Sequence, residues 1–113
     1  ISQAVLGFVP MKQGAYLHKS IADHLQPAQN HNWQLHDQWH FGGFGKWDQP
    51  LLDFMNDFYG LNKIPLDIVY TSKMMYGIHE MLADNQFSSH DKVLCIHSGG
   101  LQGNLSVKDK LVY

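Results

Sequence analysis

The sequence predicts an α/β fold built on a partial parallel sheet, and three observations carry that expectation. Two apolar runs, Ala4-Val-Leu-Gly-Phe-Val9 and Val93-Leu-Cys-Ile96, are too short for helices and suit strands buried on both faces. They alternate with stretches of helical periodicity, which is the pattern of parallel βα units. The second run, from Lys92 to His97, leads into Ser98-Gly-Gly-Leu-Gln-Gly103, where glycines let backbone approach a ligand closely. Ligands of open α/β sheets sit outside the carboxyl ends of strands, so this turn is where chemistry is expected.

Taken in order, the first strand closes at Pro10. Gly14 then precedes a helix over Ala15 to Leu25, with Leu17, Ile21, His24 and Leu25 at helical spacing until Pro27. Gln26 to Asn32 is a polar connection. Trp33 to Trp39 mostly alternates, Trp33, Leu35, Asp37 and Trp39 sharing one side, and reads as a half-exposed strand at a sheet edge. His40-Phe-Gly-Gly-Phe-Gly-Lys46 is a flexible aromatic loop able to bend over a ligand. Asp48 caps the next helix, Pro50 is tolerated in its first turn, and Leu51, Leu52, Phe54, Met55, Phe58 and Tyr59 form its apolar face until Gly60 and Asn62 stop it. Ile64 to Tyr70 is extended. Thr71 or Ser72 caps a helix through about Ala83 that buries Met74, Met75, Ile78, Met81 and Leu82. Asn85 to Asp91 links to the strand at Lys92, and Asn104 to Tyr113, without a clear period, reads as partly disordered.

A chain of 113 residues has room for one domain, burying roughly 65% of the surface of its unfolded state. A hydrophobic share of 44% and a charged share of 16% describe a soluble globular chain. No apolar run has the length of a membrane span, and Ile1 opens without a basic leader or cleavage site, so a cytoplasmic location is expected. A formal charge of −2 provides no basic face for phosphate backbones, which disfavours nucleic-acid binding. The single cysteine, Cys95, fits a reducing compartment and reads as a small buried hydrophobe. The chain starts mid-pattern without an initiating Met, and two or three parallel strands make a sheet that needs further neighbours. A piece of something longer is therefore expected.

His31, His36 and His40 are spaced by five and four residues. In a strand, His36 and His40 would share a side yet lie about 13 Å apart, and no second Cys, HExxH or Asp-rich loop accompanies them, so no metal site is expected. Ser98 lacks the Gly-x-Ser-x-Gly elbow, and His97 beside it would point to the opposite face of a strand. Gly42-Gly43-Phe44-Gly45 matches neither phosphate-binding fingerprint. What remains is a set of groups at element ends, Tyr70 and Thr71 in one place and Ser98 with Gly99 in the other. They suit either a cofactor or small-molecule pocket or ordinary capping.

The stretch Ile64-Pro-Leu-Asp-Ile-Val-Tyr-Thr-Ser-Lys-Met-Met-Tyr-Gly77, followed by Lys92-Val-Leu-Cys-Ile-His-Ser-Gly-Gly-Leu-Gln-Gly103, resembles the C-terminal part of a group of pyridoxal-phosphate enzymes. These are the 1-aminocyclopropane-1-carboxylate deaminases and D-cysteine desulfhydrases. Members carry a D-P-V-Y-x-G-K-x-x-x-G segment and an H-T-G-G or H-L-G-G turn, separated by a helix and a strand. The loop His40 to Lys46 and its Asp-capped helix are similar to a loop of bacterial relatives. The resemblance implies the tryptophan-synthase-β-like architecture, fold type II, with residues 1–113 as the C-terminal part of its larger cofactor-binding domain. It further implies that the Schiff-base lysine and the phosphate and carboxylate loops lie upstream. No lysine here, including Lys46 and Lys73, matches the catalytic one, so the chain alone is expected to be inactive.

By the same resemblance, Tyr70 matches the tyrosine that lies against the pyridine ring, where its hydroxyl can help proton transfer. Thr71 stands where the deaminases have glutamate and Ser98 where they have leucine, while desulfhydrase-like members carry hydroxyls at both places. Gly99 would let backbone lie close to the ring. A carboxylate beside pyridine N1 keeps the ring protonated and strengthens the electron sink; a hydroxyl does so far less. The expected reaction is therefore β-elimination from D-cysteine, giving pyruvate, ammonia and sulfide, with cyclopropane ring opening as the alternative. A non-catalytic ligand-binding or interaction domain is the alternative of another class. Phe41 stands near the place of a second active-site tyrosine, and Ser72 replaces the usual glycine. Pyridoxal phosphate as cofactor, a small amino acid as substrate and a homodimer are what the resemblance implies.

Overall fold

A computed structural model describes residues 3–29 and 32–113. Strand β1 (Val5–Phe8) pairs in parallel with β2 (Trp33–His36), Val5 opposite Trp33 and Phe8 opposite His36. Between them run α1 (Tyr16–His24) and a 3-10 turn, Pro27–Gln29. This is a βαβ unit, and it makes the chain α/β, but the parallel partner of the first strand is the segment expected at a sheet edge and not Val93–Ile96. The helices α2 (Gln49–Asn62) and α3 (Thr71–Ala83) follow, and a 3-10 helix, Leu101–Lys110, closes the chain.

The core lies away from the sheet. Leu51, Leu52 and Met55 of α2 pack with Leu66, Ile68 and Val107, ringed by Trp47, Phe54, Phe58 and Tyr113. Asp48 starts α2 as expected, its carboxylate accepting from the Leu51 amide at 3.0 Å, with Pro50 in the first turn. The sheet reaches the rest of the molecule through α3. A methyl group at Gly77 would stand 2.7 Å from Trp39 Cε3 and 2.8 Å from Phe8 Cε1, so only glycine admits this approach.

Several expectations are corrected. Lys92 to His97 forms no strand; Leu94 is 87% and Ile96 73% exposed, and the one sheet among the described residues is β1–β2. The apolar pattern reports what the segment favours when neighbours flank it, and no strand here runs alongside it. Cys95 is only half-buried, and burial pushes its thiol up from the ordinary value. Val5 is exposed, β2 stops at His36, and Leu82 of α3 faces solvent while Ile78 and Met81 are buried. Gly60 does not end α2, which continues to Asn62 and closes on Lys63 in the left-handed conformation, φ 56°. Neither Thr71 nor Ser72 caps α3; Tyr70 holds that position.

The segment from Asn104 is ordered rather than disordered, and side-chain amides hold it. Asn104 accepts from the Ile68 amide and donates to the Leu66 carbonyl, while Asn56 receives the Val112 amide and donates to the Lys110 carbonyl. Tyr113 donates its hydroxyl to Leu66 O at 2.6 Å. Amides that substitute for a paired strand leave no apolar period to detect.

Candidate functional site

The site is built on Asp67, which is completely buried. Oδ2 accepts from the Val69 and Tyr70 amides at 2.8 and 2.7 Å, and Oδ1 accepts from the Thr71 amide and hydroxyl at 2.8 and 2.6 Å. The Thr71 hydroxyl in turn receives the Asp67 amide at 2.8 Å. A carboxylate with four donors at the start of a helix satisfies amides that the helix cannot, so Asp67 does the capping from outside the helix. The turn at 68–70 is thereby fixed and Tyr70 is presented outward, 49% exposed. Thr71 lies beneath it, 3% exposed, with its hydroxyl committed to Asp67.

The turn after Ile96 meets the same carboxylate. His97 Nδ1 accepts from the Gly99 amide at 3.1 Å, which leaves Nε2 to carry the proton and donate to Pro65 O at 2.8 Å. Gly99 and Gly100 follow at φ 94° and 92°. A methyl at Gly100 would come within 3.2 Å of Asp67 Cγ, whereas one at Gly99 would meet nothing within 4 Å. Ser98 is exposed. The Tyr70–Thr71 and Ser98–Gly99 stretches are thus brought together across Pro65 and Asp67, Tyr70 and Ser98 in solvent and Thr71 below them.

Sequence reasoning missed Lys73. It is 1% exposed, and its ammonium donates to the carbonyls of His40 at 2.8 Å, Gly43 at 3.0 Å and Pro10 at 3.2 Å. Burial lowers its pKa to about 8, against the pull of the Asp67 carboxylate. The sequence signal was available: Lys73 stands three residues from Tyr70 and four from Gly77, on the helix face that meets the loop. Next to it, the Ser72 hydroxyl is buried without a partner.

The loop held by Lys73 has the same His-x-Gly-Gly sequence as the second turn. His40 Nδ1 accepts from the Gly42 amide at 3.0 Å, as His97 does from Gly99. Phe41, at φ 56°, sets its ring edge-on to Tyr76 with centroids 4.9 Å apart, and Phe44 sets its ring against Tyr70 at 6.0 Å and 65°. His36 stacks on Phe8 at 5.5 Å. Among the described residues no three His, Cys, Asp or Glu side chains are grouped to hold a metal; His31 lies outside the described residues. An open recess of about 470 Å³ lies elsewhere, at the carboxyl ends of β1 and β2, lined by Val9, Gly14, His18, Leu35 and Asp37 among others. None of Tyr70, Thr71, Ser98 and Gly99 lines it. Among the described residues no helix is long and apolar enough to cross a membrane.

Over 79 residues the chain is 32% identical to a protein of Pyrococcus horikoshii named "Putative 1-aminocyclopropane-1-carboxylate deaminase". The match takes in 70% of this chain and 23% of that protein, so the chain is similar to a portion of it and spans about a quarter of its length. No family model and no solved structure matches the chain.

Proposed function

We propose that this chain is the C-terminal part of the larger domain of a pyridoxal-phosphate enzyme of fold type II. The whole protein, acting as a homodimer, would eliminate the β-substituent of a small D-amino acid. The observation that carries the reading is the meeting of the Tyr70 and Ser98 stretches on Asp67, within a chain similar to part of a deaminase-named protein. Pyridoxal phosphate, when bound, withdraws electrons from the α-carbon of an attached amino acid. The residues present fit its ring. Tyr70 offers an exposed aromatic face, Ser98 an exposed hydroxyl, and Gly99 a backbone without a side chain at a place open to close approach.

Tyr70 would orient the ring and hold or move a proton at its hydroxyl. With the Thr71 hydroxyl already committed to Asp67, Ser98 is the hydroxyl left for pyridine N1. A hydroxyl there favours a ring less protonated than a carboxylate would maintain, which suits expulsion of a good leaving group such as a thiolate better than opening of a cyclopropane. The attachment lysine would lie outside these residues, because the resemblance puts no lysine of this chain in its place and Lys73 is in addition spent on three carbonyls. Overall, D-cysteine and water would give pyruvate, ammonia and hydrogen sulfide.

The test is to assay the protein from the complete reading frame with D-cysteine, reading pyruvate and sulfide together, and with 1-aminocyclopropane-1-carboxylate, reading 2-oxobutanoate. Equimolar pyruvate and sulfide support the proposal. Product only from the cyclopropane acid would replace the substrate and keep the cofactor. A protein without product or a visible cofactor band would be a binding module.

A further inference from the structure

The loop that Lys73 holds runs along one stripe of α3. Trp39 meets Gly77, Phe41 meets Tyr76, the His40 and Gly43 carbonyls meet the Lys73 ammonium, and Phe44 meets Tyr70. Positions 70, 73 and 76–77 recur at the three- and four-residue spacing that shares a helix face. The loop would not hold this shape unaided. Gly42, Gly43 and Gly45 take φ of 102°, 128° and 71°, and Phe41 takes φ 56°, which is costly for a residue with a bulky side chain. Its internal backbone–backbone bonds are two, Gly43 N to His40 O at 3.2 Å and Lys46 N to Gly43 O at 3.0 Å, beside the one from Gly42 N to His40 Nδ1. Both of those acceptor carbonyls are also ammonium acceptors. A charged donor strengthens each bond it makes in a dry site, and the three N–H groups of the ammonium match three carbonyls.

We infer that Lys73 is a positioning residue for Tyr70: its ammonium fastens the His40–Phe44 loop onto α3, and the fastened loop sets the Phe44 ring, steeply inclined, against the Tyr70 ring. Asp67 fixes the backbone of Tyr70, and this clamp fixes its ring, so the two buried charges share the presentation of one exposed aromatic. That Tyr70 then meets a cofactor ring rests on the function proposed above; the clamp itself does not.

Two variants of the full-length protein test the inference by amide exchange and by the NMR contact between the Phe44 and Tyr70 rings. In Lys73→Met the Gly43 and Lys46 amides are expected to exchange at least tenfold faster and the ring contact to be lost, with the Leu52 amide of α2 unchanged. Unchanged loop amides, or a persisting ring contact, would overturn the inference. Phe44 is 57% exposed, so Phe44→Ala should fold even where Lys73→Met does not. It is expected to keep the Gly43 and Lys46 protection while shifting the Tyr70 ring signals and the visible band of added pyridoxal phosphate. Tyr70 signals identical to wild type would overturn it. A wild-type protein without any visible band would sink the cofactor reading alone, because the exchange and ring-contact measurements still judge the clamp.

Discussion

The turns at His40-Phe-Gly-Gly43 and His97-Ser-Gly-Gly100 share a sequence pattern and a local bond, the histidine Nδ1 accepting from the amide two residues on. They differ in the buried charge they face. The first directs two carbonyls at the Lys73 ammonium; the second lays a glycine against the Asp67 carboxylate, which spends its lone pairs on the Tyr70 turn. Four residues determine a turn, whereas the charge opposite determines what the turn is used for. A cation gathers the first into a clamp, and an anion leaves the second close to the helix start with Ser98 free in solvent.

The largest expected effect removes the anion. Asp67→Ala strands three amides and a hydroxyl, and chemical denaturation should register a loss of roughly 4 kcal/mol, with Asp67→Asn losing about half as much. The cation predicts a pH effect. Lys73 titrates near 8 in the folded chain against 10.5 for an ordinary lysine, so between these values the unfolded chain binds more protons. The Lys73 contribution to stability should therefore rise with pH between 8 and 10.5, by at most about 1.4 kcal/mol per unit, because deprotonation relieves the cost of burying the charge. Burial pushes Cys95, Tyr76 and Tyr113 up, and they pull the other way in this window. The check is therefore the difference between urea titrations of the wild type and of Lys73→Met: the wild-type slope should be the more positive, and equal slopes would deny the burial.

Gly99 and Gly100 sharpen the contrast, since they share a φ near 90° but only Gly100 approaches Asp67. Both changes to alanine should destabilise, Gly100→Ala by about 1 kcal/mol more in parallel melts, as expected for added crowding on top of equal backbone strain. The smallest effect concerns the residue between the two charges. Ser72 has a buried hydroxyl without a partner, so Ser72→Ala should stabilise by about 1 kcal/mol in thermal unfolding.

Local signals explain what the sequence made legible. The Asp48 cap and the apolar face of α2, the opening strand, turn and helix, and the glycine-rich loop each depend on neighbours within a few residues. The failures are long-range. Val93 to Ile96 has the composition of a buried strand, but composition says nothing of which strand lies beside it. Asn104 and Asn56 replace a strand partner with an amide, and Lys73 reaches carbonyls 30 to 63 residues away. In the candidate site, Tyr70 and Ser98 were found as element ends. Asp67, which joins them, was hidden because a buried carboxylate is recognisable only by the donors that surround it.

The most direct test of the functional account is borohydride reduction of the protein from the complete reading frame, followed by peptide mapping of any pyridoxyl group. One labelled lysine outside residues 1–113 is expected, with Lys73 unlabelled. A label on Lys73, or no label on a protein that folds, would contradict it.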